Sequence, residues 1–190
     1  SQEDRVTISM RAASMGGSQA FLDAGESYKL GELLKTVIVA SANDSAVALA
    51  EYLAGSEEGF VKQMNARAEE LGLENTHYVN CTGLPAQNHY TTARDVAKLS
   101  AQIDLHPLYY KYSTIWMDEF RHRGGRVTSL TNTNRLIRFY PGCDGYKTGS
   151  TNEARYCVSA TAKKLGMRLI AVVLGTPAGQ TRFDEARAML

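Results

Sequence analysis

The stretch from Cys143 to Gly175, CDGYKTGSTNEARYCVSATAKKLGMRLIAVVLG, decides the fold. Near its head, Lys147-Thr148-Gly149 invites comparison with a phosphate loop. The spacing rejects that reading, because a P-loop needs glycine directly before its lysine and Tyr146 stands there. A P-loop also opens a helix whose amides face the phosphates. The residues after Gly149 are strand-like instead: Tyr156, Val158, Ala160 and Ala162 alternate with more polar neighbours, and LIAVVLG is a short apolar run rich in β-branched residues. KKLGM between them supplies a turn at Gly166. Lys147 is therefore expected on or beside an edge strand that leads into a β-hairpin.

Working outward, RVTIS (5–9) reads as a strand and RAASMGGSQAFLDAGES as a loop turning at Gly16-Gly17. Leu30, Leu33, Leu34, Val37 and Ile38 have helical spacing. SAVALAEYLAG is a second helix stopped by Gly55. Ser56 is placed to cap a third helix, with an inner stripe of Phe60, Val61, Met64, Ala68 and Leu71 and with Gly72 past its end. Residues 73–91 read as a long ordered loop. Thr92 with Asp95 resembles a capping box and opens a helix to about Ile103, which His106-Pro107 ends. STIWMDEFR and GRVTSLTNT read as strands around Gly124-Gly125, and TRFDEARAML as a helix. Strands, helices, strands, helix in that segregated order indicate an α+β fold.

At 190 residues, 44% apolar and 22% charged, the composition is that of a globular domain. A net charge of +1 gives no footprint for nucleic acid. No stretch approaches the apolar length of a membrane span. Cys81, Cys143 and Cys157 have no metal-type spacing and read as buried free thiols. His77, His89, His106 and His122 show no ligand-like spacing, so neither a metal nor another cofactor is expected.

Two short signals carry chemistry. Ser41-Ala42-Asn43 falls between two helices, and Lys147-Thr148-Gly149 lies on a strand. Two residues apart in an extended segment, Ser41 and Asn43 would address one cleft. Lys147 would supply fixed positive charge, and Gly149 would let another backbone lie against the strand. A hydroxyl, an amide, an ammonium and an open strand edge suit acyl transfer on a peptide that ends in a carboxylate. Taken singly, a serine and asparagine at a helix junction are usually caps, and a lysine before a turn is usually a solvated surface charge. S-A-N followed by K-T-G belongs to the S-x-x-K, S-D-N, K-T-G signature. Together with RAASMGGSQAFL, ELLKTVIVASANDSAVALAE, NTHYVNCTGLPAQNHYTTARDVAKL, TNTNRLI and the Arg182 region, these motifs mark a resemblance over essentially the whole chain. The chain resembles the D-alanyl-D-alanine carboxypeptidases, the low-molecular-mass penicillin-binding proteins of serine peptidase S11 type. S-A-N departs from the commoner S-G-N, harmlessly, because alanine is small.

The resemblance implies a β-lactamase/transpeptidase-like α+β fold, an antiparallel sheet flanked by helices. Residues 28–106 would form a mainly helical subdomain, and 1–27 and 107–190 the sheet-containing part. It also exposes an absence: no serine is followed three residues on by lysine, and Ser159 has lysine only at the fourth position. The nucleophile, its lysine and the N-terminal part of the fold are expected upstream of these residues, and the 190 residues alone are expected to be inactive and to fold poorly. By resemblance, Ser41 relays a proton to the leaving amine, Asn43 binds the substrate amide, and Lys147 sustains the proton network. Thr148 and Arg182 would hold the carboxylate, while Gly149 and Ser150 would align the substrate backbone and help form the oxyanion hole. The implied partners are peptidoglycan stem peptides and β-lactam antibiotics, met outside the cytoplasmic membrane, with no membrane contact from these residues. A class A β-lactamase would need a deacylating glutamate in an E-x-x-L-N-like context, which Glu74 in LENTHYVN does not provide. A non-catalytic remnant of the same fold is the other alternative.

Overall fold

A computed structural model describes all 190 residues. The elements in chain order are β1 (Arg5–Thr7), α1 (Met10–Ala13), β2 (Ser27–Lys29), α2 (Leu30–Ala40), α3 (Asn43–Ala54), α4 (Glu57–Glu70), α5 (Ala93–Ile103) and α6 (Pro107–Ser113). Then come β3 (Met117–Arg121), β4 (Val127–Thr131), α7 (Leu136–Phe139), β5 (Cys143–Thr151), β6 (Arg155–Lys164), β7 (Met167–Thr176) and α8 (Gly179–Met189). The α+β expectation holds. All strand pairs are antiparallel: β1 with β2, β3 with β4, and a three-stranded sheet in the order β5-β6-β7.

The expected hairpin is present as part of a meander, but burial along its first strand does not alternate: Tyr156 is exposed, and Ser159 and Thr161 are buried along with their apolar neighbours, because this central strand is covered on both faces. Val158, Ala160 and Ala162 are buried, and Leu165 and Gly166 both take positive φ at the β6–β7 turn, the pattern of a type I′ hairpin. β5 lies at the edge of this sheet, as Lys147 required. One face of the sheet packs against α8 through Val158, Ala160, Ala171, Val173, Phe183 and Ala186. A second core, built on Leu33, Val39, Val47, Ala48, Phe120 and Leu130, joins α2 and α3 to the β3–β4 hairpin.

The long helices follow their caps and periods. The Ser56 hydroxyl accepts from Gly59 N–H at 2.9 Å, and the Thr92 hydroxyl from Asp95 N–H at 3.2 Å. The stripe on α4 is less buried than its spacing suggests. Only Ala68 is fully inside, whereas Phe60, Val61, Met64 and Leu71 are half-buried. With Leu73, Tyr78 and Leu99, Phe60 and Met64 line an open groove of about 550 Å³.

Three short helices depart from the sequence reading. α1 interrupts the expected loop, opened by the Ser9 hydroxyl accepting from Ala12 N–H at 2.9 Å. α5 ends as expected, but Pro107 then opens α6 rather than closing the helical run, because its missing N–H costs nothing in a first turn. α7 follows the buried Asn134, whose side-chain oxygen accepts from Leu136 N–H.

The junction between α2 and α3 is tied to the segment around Gly16–Leu22 by Asp44, which is fully buried. Its carboxylate accepts from the amides of Ala20 (3.0 Å), Leu22 (3.1 Å) and Ser45 (2.8 Å). Removing it strands buried donors, each costing about 1–3 kcal/mol. Asp44→Ala is therefore expected to lower the unfolding free energy by about 3 kcal/mol in denaturant titration. A loss below about 1 kcal/mol would show that the segment is held by other contacts.

Candidate active site

A cleft of about 680 Å³ runs along β5, between the sheet and the helices. All seven residues singled out in the sequence line it: Ser41, Asn43, Lys147, Thr148, Gly149, Ser150 and Arg182. The route by which two of them arrive differs from expectation. Ser41 and Asn43 are not neighbours on an extended segment. Ser41 closes α2 in the left-handed region (φ 61, ψ 35), Ala42 caps α3, and Asn43 opens that helix. The Ser41 amide still bonds to Val37 O, and the Ala42 amide reaches back to Thr36 O at 3.3 Å, so the carbonyls of the last turn of α2 are used at the junction. Glycine usually occupies the left-handed position. A serine there costs about 1 kcal/mol or more and marks a position kept for its side chain.

That side chain meets Lys147. The ammonium donates to Ser41 Oγ at 2.6 Å and to Thr148 O at 2.7 Å. Burial, and then the nearby charge of Arg182, pull the Lys147 pKa down to about 8. Thr148 donates to Thr133 Oγ1 at 2.6 Å. Asn43 is buried and donates from Nδ2 to Gly16 O at 2.8 Å, while its own amide donates to Ser18 O at 2.8 Å. Gly17 passes so close that a Cβ would stand 2.7 Å from Asn43 Nδ2, at a φ of +77° that already favours glycine. Gly149 is exposed, with open space where a side chain would be. Arg182 reaches from α8 to the carbonyls of Gly149 (3.0 Å) and Cys157 (3.1 Å), and its plane lies against the rings of Phe183 and Tyr156. Its Nε is buried without a hydrogen-bond partner.

Several cleft residues carried no role in the sequence reading. Thr133 lies between Asn132 and Asn134, both buried. Asn132 donates to Ser113 O and Ile115 O, and Asn134 to Gly145 O. The N-T-N pattern in TNTNRLI was the available signal, since two braced asparagines fix the residue between them. Cys81 also lines the cleft and is half-buried rather than buried. Its amide and thiol both donate to Glu57 Oε1, and burial followed by the Glu57 charge pushes the thiol up to about 12. Cys143 is buried as expected, and Cys157 is half-buried. His89 lines the cleft, where its Nδ1 accepts from Val79 N–H, and His77 Nδ1 bonds to Asn88 O; both brace the long loop. No aspartate or glutamate lines the cleft, which carries Lys147 and Arg182 as its cations. No group of three or more metal-ligating side chains is found.

The model of the peptidase S11 family, D-alanyl-D-alanine carboxypeptidase, matches residues 1–178. The chain belongs to that family. It is 48% identical over 187 residues to the D-alanyl-D-alanine carboxypeptidase DacF of Bacillus subtilis, covering 98% of this chain and 48% of that protein. It is 38% identical over 194 residues to DacC of Escherichia coli, again covering 98% and 48%. The chain thus spans about half the length of the curated relatives it matches. Among solved structures, the D-alanyl-D-alanine carboxypeptidase DacD of Francisella tularensis superposes with a TM-score of 0.92 at 30% identity, over 100% of this chain and 58% of that one. The Streptomyces K15 DD-transpeptidase superposes with a TM-score of 0.92 at 27% identity, over 100% and 78%. The S11 fold therefore accounts for the arrangement of the sheet, the helices and the seam between them.

The depressed lysine makes a pH prediction. Unfolded, Lys147 keeps its ordinary pKa of 10.5; folded, it titrates near 8. Between these values the unfolded chain binds more protons, so stability from this group rises with pH across that window. The unfolding free energy of the wild type relative to Lys147→Met is expected to climb between pH 8 and 10.5. A flat difference across the window would mean that Lys147 is not held in a desolvated site.

Proposed function

We propose that the protein to which these residues belong is a serine D-alanyl-D-alanine carboxypeptidase, removing the terminal D-alanine of peptidoglycan stem peptides through an acyl-enzyme. The observation that carries this reading is the Lys147–Ser41 hydrogen bond, set in a cleft with two cations, no carboxylate and an open strand edge. An extended peptide adds to such an edge by backbone pairing. Its C-terminal carboxylate then lies among Thr148, Lys147 and Arg182, where charge-assisted hydrogen bonds are strongest.

The nucleophile is the serine of an S-x-x-K motif outside residues 1–190, with its lysine as base. It attacks the carbonyl between the two D-alanines, and the oxyanion is met by the nucleophile's own amide and by an amide of β5 at or near Ser150. Ser41, already bonded to Lys147, passes a proton to the departing D-alanine nitrogen. Asn43 spends one donor on Gly16 O, which leaves its Oδ1 to accept from the substrate amide or the nucleophile's lysine. Water then hydrolyses the ester. A β-lactam mimics the same peptide, acylates the same serine and blocks the site. The substrate places the enzyme outside the cytoplasmic membrane. No helix of these residues is long and apolar enough to cross one.

Release of D-alanine from a peptide ending in D-Ala-D-Ala, followed with the full-length protein, tests the reading. Ser41→Ala is expected to lower kcat about 10²-fold, the usual worth of a positioned proton relay, with little change in KM. Undiminished turnover by Ser41→Ala, or no release by the wild type, would refute it.

A further inference from the structure

Beyond the cleft, β5 runs into a second hollow of about 480 Å³, lined by Ser150, Thr151, Asn152, Arg155, Tyr156 and Pro177. Ser150 and Thr151 line both spaces, so the two adjoin at this end of the strand. Arg155 is the single charged residue of the hollow, and its guanidinium makes no ion pair and no hydrogen bond within the chain. Its backbone is unusual. At φ +56 it occupies the left-handed region on leaving the β5–β6 turn, a position where glycine would be free of strain. The turn is otherwise well braced: Ala154 N–H donates to Thr151 Oγ1 at 2.9 Å, and Arg155 pairs with Thr151 in the ladder. An exposed arginine that is unpaired, strained and set beside a neutral hollow is an outlier that points to function.

We infer that this hollow is a subsite for a free carboxylate carried about three or four residues before the C-terminus of the peptide, with Arg155 as its specificity-determining residue. The inference rests on the carboxypeptidase reading, which puts the terminal carboxylate beside Thr148. A peptide lying antiparallel to β5 then runs from Thr148 towards Thr151 as it is followed back to its N-terminus. Each extended residue covers about 3.3 Å, so three residues of β5 correspond to about three residues of substrate. The chain arrives at Thr151 with the right length for a side-chain or branch carboxylate to meet Arg155. Arginine's planar fork can take such a group in two parallel hydrogen bonds. Tyr156 lines the hollow, and its ring lies against Arg182 of the cleft.

The test uses the full-length protein and two peptides ending in D-Ala-D-Ala, identical except that one bears a free carboxylate at that position and the other its amide. The wild type is expected to show a kcat/KM about tenfold higher on the acid peptide, expressed in KM and narrowed by salt. Arg155→Gly keeps the turn and should leave thermal stability unchanged or raised, since glycine takes the left-handed region freely. It should bring the two peptides within about twofold of each other without altering turnover of the amide. Arg155→Lys should keep part of the preference. A purely structural Arg155 would move both peptides alike. Equal rates on the two peptides with the wild type, or a preference that survives Arg155→Gly, overturns the subsite and leaves the carboxypeptidase standing. Failure to release D-alanine from either peptide overturns the carboxypeptidase, and the subsite with it.

Discussion

The hydrogen bond from Lys147 to Ser41 joins the two halves of the molecule. One partner stands on an edge strand whose far face is packed by α8. The other closes a helix buried against the β3–β4 hairpin. These two apolar cores have no residue in common, and the cleft is the seam between them. Bringing a lysine into that seam costs solvation, which is why its pKa falls to about 8. In return the lysine can share a proton with a hydroxyl near neutral pH, which an exposed lysine cannot do.

Polar braces rather than apolar packing fix the walls of the seam. Asp44 gathers three amides, Asn132 and Asn134 hold Thr133 in reach of Thr148, and Glu57 anchors Cys81 while pairing with Arg11. Such groups are costly to bury unpaired, so each specifies one geometry sharply. Five non-glycine residues take the left-handed region: Phe21, Ser41, Asn88, Arg155 and Leu165. Of these, Ser41 lies within the cleft and Arg155 beyond its end. Residues 1–190 thus supply a cationic, preorganised face, and the half-buried stripe on α4 leaves apolar surface open beside it.

Much of this was legible in the sequence where the signal is local and periodic. Alternation from Tyr156 to Ala162 gave the hairpin and hence the edge position of Lys147. Ser56 and Thr92 announced their helices by capping chemistry. Five of the seven site residues were found through two short motifs, Ser150 and Arg182 through the family resemblance, and all seven meet in one cleft. The features that were not legible depend on contacts far apart in the chain. α6 is held by Tyr112 bonding to Gln2 and by Ser113 bonding to Asp144 O, neither visible in a seven-residue window. The helix-turn-helix geometry at Ser41 needed a left-handed serine, which local propensity argues against. Thr133 and Cys81 acquire meaning only once Thr148 and Glu57 are beside them.

Whether an acyl group is taken up, and by which serine, is the most direct question to put to the full-length protein. Lys147 lies 2.6 Å from Ser41, close enough to serve as a base in its own right, so the two possibilities differ by one residue assignment. Intact-mass measurement after exposure to excess benzylpenicillin, followed by peptide mapping, resolves them. The expected result is a single penicilloyl group on a serine of an S-x-x-K sequence outside residues 1–190. A penicilloyl group on Ser41 would instead make Ser41 the nucleophile and Lys147 its base, and would contradict the division of labour assigned to this cleft.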